Sequence, residues 1–325
     1  MKIAVVGCGA VGGYYGARLC RDGHEVHFLA RSDYEVIRRR GVAVQSPEGD
    51  FQVRPRVALR PEEIGASDLV LVGLKTTANA QFAALLPPLV GPRTAVLTLQ
   101  NGLGNEAQLA ALFPPAQILG GLCFVCINRT APGQIEHLAH GTVVLGEYQR
   151  WPEPRTHDLA TQFRHAGIPC KVADNLERAH WEKLVWNIPF NGLGVASTAG
   201  LEPMLRGDSS SAAPAIPAAL APCLTTDRLL ADPRWEALVR ELMLEVITAA
   251  NALGLKVRES LAEKQIAKTR TMGAYRASTL IDFERRQPLE LESLFLEPLR
   301  QARRAGVPTP RLAALCAVLS ALNPR

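Results

Sequence analysis

Three polar residues, Lys183, Asn187 and Asn191, recur at four-residue intervals in a segment that is otherwise rich in apolar residues. If this segment is helical, the three side chains lie on one face of the helix. An ammonium group can stabilise negative charge that grows on a carbonyl oxygen and can transfer a proton to it, while amides orient a substrate without adding charge. The row therefore suits the carbonyl and the carboxylate of a small acid. The alternative is a polar stripe that faces solvent.

A second group of polar residues follows late in the chain. Ser278 and Asp282 are one helical turn apart, and Glu290 follows Pro288, where a new helix is predicted to start. The positive end of the helix dipole favours a carboxylate at such a position. The alternative interpretation is an ordinary charged helix with a solvated polar face.

The N-terminal part carries a glycine-rich turn of the form GxGxxG, which consists of Gly7, Cys8, Gly9, Ala10, Val11 and Gly12. The turn follows a predicted strand at Lys2–Val6 and opens a helix predicted over 10–22. In that context Gly7 permits a tight turn, Gly9 lets a pyrophosphate approach the backbone, and Gly12 lets helix and strand pack closely. The free N–H groups at the helix start attract phosphates. The motif predicts a dinucleotide site, and a plain glycine-rich turn is the alternative.

The end of the second predicted strand, Glu25–Ala30, indicates which dinucleotide binds. An NAD site usually places Asp or Glu there, to accept a hydrogen bond from the ribose 2′-hydroxyl. This chain has Arg31 instead. A guanidinium group cannot accept that hydrogen bond, but it suits a 2′-phosphate. We therefore expect NADPH, unless Arg31 is a surface arginine with another partner.

Polar residues also end two further predicted strands. Lys75 follows the apolar run Leu69–Leu74, and Asn101 follows Val96–Leu99. Ligands gather at the carboxyl ends of the strands in open α/β sheets. We expect both residues at the ligand edge of the sheet, although each alone would be an ordinary loop lysine or Asn-Gly turn.

The elements that must position these residues change in character near residue 173. Before it, strand-like and helix-like segments alternate, which is typical of a parallel, doubly wound α/β sheet of the Rossmann type. Further predicted strands are Phe51–Leu59, Asp68–Leu74, Thr94–Leu99, Gln117–Ile127, Gln134–Leu138, Thr142–Glu147 and Ile168–Ala173. The later strands are joined by short turns, and we expect them to be antiparallel additions at one edge.

After residue 173 the strand signals disappear. Helices are predicted at about 175–198, 233–253, 257–286, 288–305 and 309–322. The expected domains are a dinucleotide-binding domain, 1–173, and an all-α domain, 174–325. The Pro- and Ser-rich stretch at 200–225 predicts an irregular insertion, because proline is a poor helix-interior residue.

Composition excludes several kinds of partner. The 325-residue chain is 47% apolar, and 36 Lys and Arg against 31 Asp and Glu leave a formal charge of +5. That mild charge argues against a nucleic-acid partner and favours small anionic ligands. No apolar run is long enough for a membrane span, and glycines interrupt the run that imitates a signal peptide.

Seven cysteines are scattered along the chain with no spacing typical of a metal site. They predict reduced thiols, a cytoplasmic location and no bound metal. Cys123 and Cys126 form a CxxC pair inside the apolar run Leu119–Ile127. No helix start follows to activate a thiolate, so we interpret them as small apolar residues, with a redox pair as the alternative.

Together these motifs resemble the ketopantoate reductase (2-dehydropantoate 2-reductase) family, the NADPH enzymes of pantothenate synthesis. The resemblance covers nearly the whole chain. The segments that carry it are KIAVVGCGAVGGYYGARL, the strand end at Arg31, LVGLK at Lys75, LQNGLGNE at Asn101, WEKLVWNIPFN from Lys183 to Asn191, the block from Ser278 to Glu290, and GVPTP near Pro308.

The resemblance implies a Rossmann domain joined to a helical domain like that of 6-phosphogluconate dehydrogenase, with the site in the cleft between them. It implies that Lys183 is the general acid and that Glu290 lies near the cofactor and the substrate. It places Lys75 and Asn101 at the nicotinamide end of the cofactor. The residues that it implies hold the substrate are Asn187, Asn191 and Ser278.

Three positions depart from the family pattern. The family often has a third substrate asparagine, but this chain has Thr226 near the corresponding position. Tyr275 and Phe295 stand where the family commonly has asparagines. We expect reduction of ketopantoate to pantoate, and these departures leave open another small 2-oxo acid, as in a β-hydroxyacid or opine-type dehydrogenase. A non-catalytic NADPH-binding regulator is a third hypothesis, but it would not need Lys183 and Glu290. The sequence does not define the oligomeric state, and a homodimer is one option.

Overall fold

The computed structural model describes residues 1–205, 214 and 216–323. The chain divides into two compact units, Met1–Leu176 and Glu177–Arg325. Each unit has its own secondary structure and core.

The first unit is built on a mixed sheet of ten strands. These are β1 (Lys2–Val6), β2 (Glu25–Leu29), β3 (Val42–Gln45), β4 (Phe51–Val53), β5 (Arg56–Ala58), β6 (Ser67–Val72), β7 (Val90–Thr98), β8 (Ile118–Ala131), β9 (Gln134–Glu147) and β10 (Cys170–Val172). Their spatial order is β4-β3-β9-β8-β7-β6-β1-β2-β5, and β10 also pairs with β9. The run from β8 through β1 to β5 is parallel, and the chain order reverses at β1. The prediction of a Rossmann-type α/β unit is confirmed.

Helices cover both faces of this sheet, and two apolar clusters fill the space beneath them. The α-helices are α1 (Ala10–Arg21), α2 (Tyr34–Arg40), α3 (Phe82–Leu85), α4 (Asn105–Ala110) and α5 (Pro154–His165). Short 3₁₀ helices occur at Pro61–Glu63, Thr76–Gln81, Pro87–Leu89 and Pro115–Gln117.

The sheet curls around α1. β4 and β5 lie at opposite ends of the strand order, yet only two residues separate them along the chain. Such a step spans at most about 11 Å, so the two ends of the sheet must approach each other. Helix α1 contacts strands from both halves: the Tyr15 hydroxyl donates to the carbonyl of Gly141 in β9 at 3.3 Å, and Gly16 packs against Phe28 of β2.

Two strand predictions are wrong. The predicted strand Phe51–Leu59 splits into β4 and β5, because the proline between them has no N–H to donate to a ladder. β9 is antiparallel to β8 as expected, but the two strands are not additions at an edge, because β9 lies between β8 and β3. β3 was not predicted.

The predicted strands Gln134–Leu138 and Thr142–Glu147 are a single strand, β9. The turn expected between them is a local irregularity in the pairing with β8. His140 and Gly141 form it, with φ angles of 67° and 132°. A bulge of this kind bends a strand without ending it.

The second unit is helical throughout the part that the structure describes, and the all-α prediction is confirmed. Its α-helices are α6 (Leu176–Ala196), α7 (Glu202–Leu205), α8 (Thr226–Ala231), α9 (Pro233–Ala252), α10 (Ser260–Arg270), α11 (Ser278–Glu284), α12 (Glu297–Arg304) and α13 (Pro310–Leu322). A 3₁₀ helix covers Ser197–Ala199 and a π-helix covers Glu292–Leu296. None of the helices in the described residues is both long and apolar enough to cross a bilayer.

Helix α6 forms much of the core of this unit. Its residues Trp181, Ile188 and Phe190 are almost fully buried. Gly192 lets α13 and the π-helix approach, since a Cβ there would lie 2.5 Å from Leu315 and 3.0 Å from Phe295.

Two helix predictions in this unit are wrong in detail. The helix expected over 257–286 is two helices, because Gly273, with φ 65°, lies in the loop between α10 and α11. The helix expected over 288–305 begins with the π-helical turn at Glu292–Leu296.

The stretch 200–225, expected to be irregular, contains α7. Residues 206–213 and 215 of the predicted insertion lie outside the described residues.

Candidate active site

The turn after β1 is so closely packed that two of its glycines admit no side chain. Gly7 has φ 97°, and a Cβ on it would lie 2.4 Å from the backbone nitrogen of Leu74. A Cβ on Gly12 would lie 2.1 Å from the carbonyl oxygen of Gly7. Packing within the protein therefore explains why these two positions are glycine.

Gly9 is different, because a Cβ on it would meet no protein atom within 4 Å. Ala10 then begins α1, and neither an acidic residue nor a side-chain cap occupies the start of this helix. Free N–H groups and the positive end of the dipole favour phosphates there. The open space at Gly9 and the uncapped helix start fit the pyrophosphate of a dinucleotide.

The two side chains inside the motif serve the fold. The Cys8 thiol donates to the carbonyl of Leu29 at 3.4 Å, and burial raises its pKa, so the thiol stays neutral. Val11 packs against the core on its face of the sheet.

Arg31 lies two residues after the end of β2 and is exposed. Its guanidinium makes no hydrogen bond or ion pair to the residues that the structure describes. The nearest carboxylate in sequence, Asp33, is buried and accepts hydrogen bonds from the Arg129 guanidinium at 2.9 Å and from the Gly133 N–H at 3.3 Å. Burial alone would raise the pKa of Asp33, but these donors hold it below its usual value. The carboxylate is thus occupied, while the guanidinium can bind an anion.

Lys75 and Asn101 lie beyond the carboxyl ends of β6 and β7, which pair as neighbours. Lys75 is exposed and precedes the 3₁₀ helix Thr76–Gln81. Gly73 brings this segment against the glycine turn, because a Cβ there would lie 2.8 Å from the backbone nitrogen of Gly12. Gly73 is not among the residues predicted above, although a glycine between an apolar strand and a lysine is a visible signal in the sequence.

In the second unit, Lys183, Asn187 and Asn191 lie on one face of α6. Asn187 is only 7% exposed, and no described residue hydrogen-bonds to its side chain. The amide atoms of Asn187 are not among the fully enclosed polar atoms that lack a partner, so they reach the surface and are open to a ligand.

The structure brings Asn191 and Ser278 together. The Oδ1 atom of Asn191 accepts hydrogen bonds from the Ser278 hydroxyl at 3.2 Å and from the backbone N–H of Thr279 at 3.1 Å. Asn191 thereby joins α6 to the first turn of α11. Its Nδ2 group has no acceptor in the described part of the chain, so it can donate to a ligand.

Lys183 is half-buried, and both it and Glu290 take part in polar interactions. Glu290 is buried just before the π-helix, where its carbonyl accepts from the N–H of Leu294 at 3.2 Å. Local widening of a helix to a π-turn is common at functional sites. The helical unit thus holds both an amino and a carboxyl side chain among its candidate site residues.

The three positions that depart from the family pattern are occupied by structural side chains. The Thr226 hydroxyl donates to the carbonyl of Gly273 at 2.9 Å, and the Tyr275 ring lies 6.0 Å from the Trp186 ring. Phe295 is fully buried in the π-helix. None of them supplies the amide that an asparagine would.

The CxxC pair lies on strand β8, with Cys123 buried and Cys126 partly exposed. A strand supplies no helix dipole to activate a thiolate. This placement favours the interpretation of the pair as small apolar residues.

Comparison with known proteins identifies the family. Models of "Ketopantoate reductase PanE/ApbA" and of its C-terminal domain match residues 3–150 and 215–323. A 2-dehydropantoate 2-reductase from Nostoc sp. is 38% identical, with 100% of this chain and 96% of the relative covered.

Solved structures agree. A 2-dehydropantoate 2-reductase from Geobacter metallireducens superimposes with a TM-score of 0.89 and 43% identity, with 99% of each chain covered. One from Methylococcus capsulatus gives a TM-score of 0.86 and 34% identity, with 99% of this chain and 96% of that chain covered. The chain belongs to the ketopantoate reductase family.

Proposed function

We propose that this protein reduces 2-dehydropantoate to pantoate with NADPH. Its family consists of NAD(P)H-dependent oxidoreductases that act on CH–OH groups. The structural observation that carries the proposal is Asn187, whose accessible amide makes no hydrogen bond to the described residues and lies one helical turn from Lys183. That pair offers a hydrogen-bonding group and a proton donor to one small substrate.

The cofactor half of the proposal depends on the first unit. Gly9 and the start of α1 would hold the pyrophosphate, with Lys75 and Asn101 at the nicotinamide end. Arg31 would bind the 2′-phosphate, because Asp33 is already paired with Arg129 and cannot serve a 2′-hydroxyl. This arrangement favours NADPH over NADH.

Bound NADPH supplies a hydride to the ketone carbon of the substrate. Lys183 carries the countercharge: its ammonium stabilises the negative charge that grows on the ketone oxygen and donates the proton that completes the alcohol. Solvent then returns a proton to Nζ. Glu290, the other charged group assigned to this centre, can accept a hydrogen bond from the substrate or from the ammonium.

The side chains that hold the substrate in this proposal are those of Asn187, Asn191 and Ser278. Asn187 can donate and accept, because its amide is not used by the fold. Asn191 can only donate from Nδ2, since its Oδ1 is occupied by Ser278 and Thr279. A 2-oxo acid presents acceptors to such donors, through its carboxylate and its ketone oxygen.

The experiment is a substrate panel with purified protein, in which NADPH oxidation is followed with ketopantoate and with several smaller 2-oxo acids. The proposal predicts the highest kcat/KM for ketopantoate. Preference for another acid would reassign the substrate. The second candidate is another small 2-oxo acid, which the aromatic pair of Tyr275 and Trp186 beside the first turn of α11 favours. NADPH binding without turnover of any acid would indicate a regulator instead.

We place the reaction in the cytoplasm, because none of the seven cysteines, all of which lie in the described residues, forms a disulfide, and this is typical of a reducing compartment. The proposed substrate is a small molecule, and neither a nucleic acid nor a membrane takes part. Size-exclusion chromatography distinguishes a monomer from the homodimer that the sequence leaves open.

A further inference from the structure

A chain of side-chain hydrogen bonds links the loops that follow β6 and β7. The Thr98 hydroxyl donates to Oε1 of Gln100 at 2.9 Å, and Nε2 of Gln100 donates to Oδ1 of Asn79 at 2.7 Å. Nδ2 of Asn79 donates to Oδ1 of Asn105 at 3.0 Å. Nδ2 of Asn105 then donates to the backbone carbonyl of Asn101 at 3.1 Å.

The last acceptor, the backbone carbonyl of Asn101, determines which way each hydrogen bond in this series points. A backbone carbonyl can only accept, so Asn105 must turn its NH₂ group towards Asn101 and its oxygen towards Asn79. Asn79 must then donate to Asn105 and accept from Gln100. Each amide therefore has one orientation, and no member can turn over without leaving a buried polar group unpaired.

The chain is largely buried, with Thr98, Gln100 and Asn105 at most 5% exposed. Its middle member, Asn79, lies in the 3₁₀ helix Thr76–Gln81, whose first turn is closed by a hydrogen bond from the Ala78 N–H to the Lys75 carbonyl at 2.9 Å. Asn79 therefore connects the segment that carries Lys75 with the segment that carries Asn101.

We propose that Asn79 is a positioning residue for the nicotinamide end of the cofactor, acting through Asn105 and Gln100. It holds Lys75 and Asn101 at a fixed separation. The inference rests on the proposed function, which assigns those two residues to the nicotinamide end. It extends the site to a residue that contacts neither cofactor nor substrate.

The test is Asn79→Asp, which keeps the shape of the side chain. The carboxylate can still accept from Gln100, but it cannot donate to Asn105. We expect kcat to fall by roughly ten- to a hundredfold, as for other small misplacements of reacting groups. We also expect weaker binding of NADPH but unchanged binding of 2′,5′-ADP, which lacks the nicotinamide end.

The pH profile provides a readout that general damage would not reproduce. Once protonated, the carboxyl group that Asn79→Asp introduces could donate to Asn105 and accept from Gln100, as the amide does. The ratio of variant to wild-type kcat should therefore rise as the pH falls. Lys75 and Glu106, the charged groups of the two loops, are present in both proteins, so their own titration affects both members of the ratio.

Gln117→Ala is the matched control. The Gln117 amide is also buried and donates to the carbonyls of Gly91 at 2.7 Å and Thr94 at 2.9 Å, at the opposite end of β7. It should lower the melting temperature without the kcat and NADPH effects. If Asn79→Asp does not fold, Asn79→Ala takes its place in the kcat and binding measurements.

Wild-type kcat and unchanged NADPH binding in the folded Asn79 variant would overturn the inference, as would losses equal to those of Gln117→Ala at a similar melting temperature. A wild-type protein that turns over no 2-oxo acid would instead refute the proposed function. In that case the comparison of NADPH with 2′,5′-ADP binding still tests the role of Asn79.

Discussion

The carboxylate of Asp33 accepts a hydrogen bond from Nε of Arg129 at 2.9 Å, just beyond the carboxyl end of β2. This pairing joins the loop after β2 to β8 and removes the carboxylate from competition for a ribose hydroxyl. Arg31 is left as the exposed charged group at that strand end.

Arg31→Ala should weaken NADPH binding strongly and NADH binding little, because only NADPH carries the 2′-phosphate. We expect a loss of about 1.5–3 kcal/mol for NADPH, as for a hydrogen bond to a charged group. Titration with both cofactors measures it. Arg60→Ala, which removes another exposed arginine of the same unit, should affect neither cofactor. Equal losses for both cofactors in Arg31→Ala would show that Arg31 does not bind the phosphate.

The Asp33–Arg129 pair should make stability depend on pH. Because the pKa of Asp33 is held below its usual value in the folded chain, its contribution to stability is complete above about pH 4 and is lost as the pH falls through the folded-state pKa. Arg129→Met should lower the free energy of unfolding at neutral pH by about 1–3 kcal/mol, since the Arg129 side chain is partly exposed.

In acid, the difference between Arg129→Met and the wild type should shrink. Urea unfolding over a pH series checks this expectation. Arg38→Met, which breaks an exposed pair with Glu35, should change stability by less than about 1 kcal/mol at every pH. A difference for Arg129→Met that is constant with pH would contradict the assignment.

Lys183→Ala should lower kcat by about 10²–10⁴, the usual contribution of a general acid, with little change in NADPH binding. Lys264→Ala, an exposed lysine on α10, is the control for loss of a positive charge. Near-normal turnover by Lys183→Ala would remove Lys183 from the mechanism and make Lys75 the next candidate.

Asn187→Ala and Asn191→Ala should separate binding from stability. Both should raise KM for the 2-oxo acid. Asn191→Ala should also lower stability by about 1–2 kcal/mol, because two donors at the start of α11 lose their acceptor. Asn187→Ala removes an amide that the fold does not use, so its melting temperature should be unchanged or higher. A large destabilisation by Asn187→Ala would mean that this amide serves the fold.

The sequence was sufficient where spacing alone determines position. The glycine turn, the arginine at the end of β2 and the row on α6 each depend on residues close together in the chain. It was insufficient where a side chain finds a distant partner. No residue near Asp33 in the sequence indicates that Arg129 is its partner. Likewise, strand β7 lies between Asn79 and Asn105 in the sequence.

The incorrect predictions of strands and helices have similar causes. β4 and β5 are joined by two residues but pair with strands at opposite ends of the sheet, and only its curvature around α1 allows this. In the helical unit, the loop at Gly273 interrupts a helical pattern because Thr226 binds its carbonyl from another helix. Such tertiary constraints override local periodicity.

The central claim is tested most directly by incubating purified protein with ketopantoate and either NADPH or NADH, and by identifying the product chromatographically. We predict pantoate formed in equal amount to the NADPH consumed, with a much lower kcat/KM when NADH replaces it. Absence of pantoate with either cofactor, from protein that binds NADPH normally, would contradict the account.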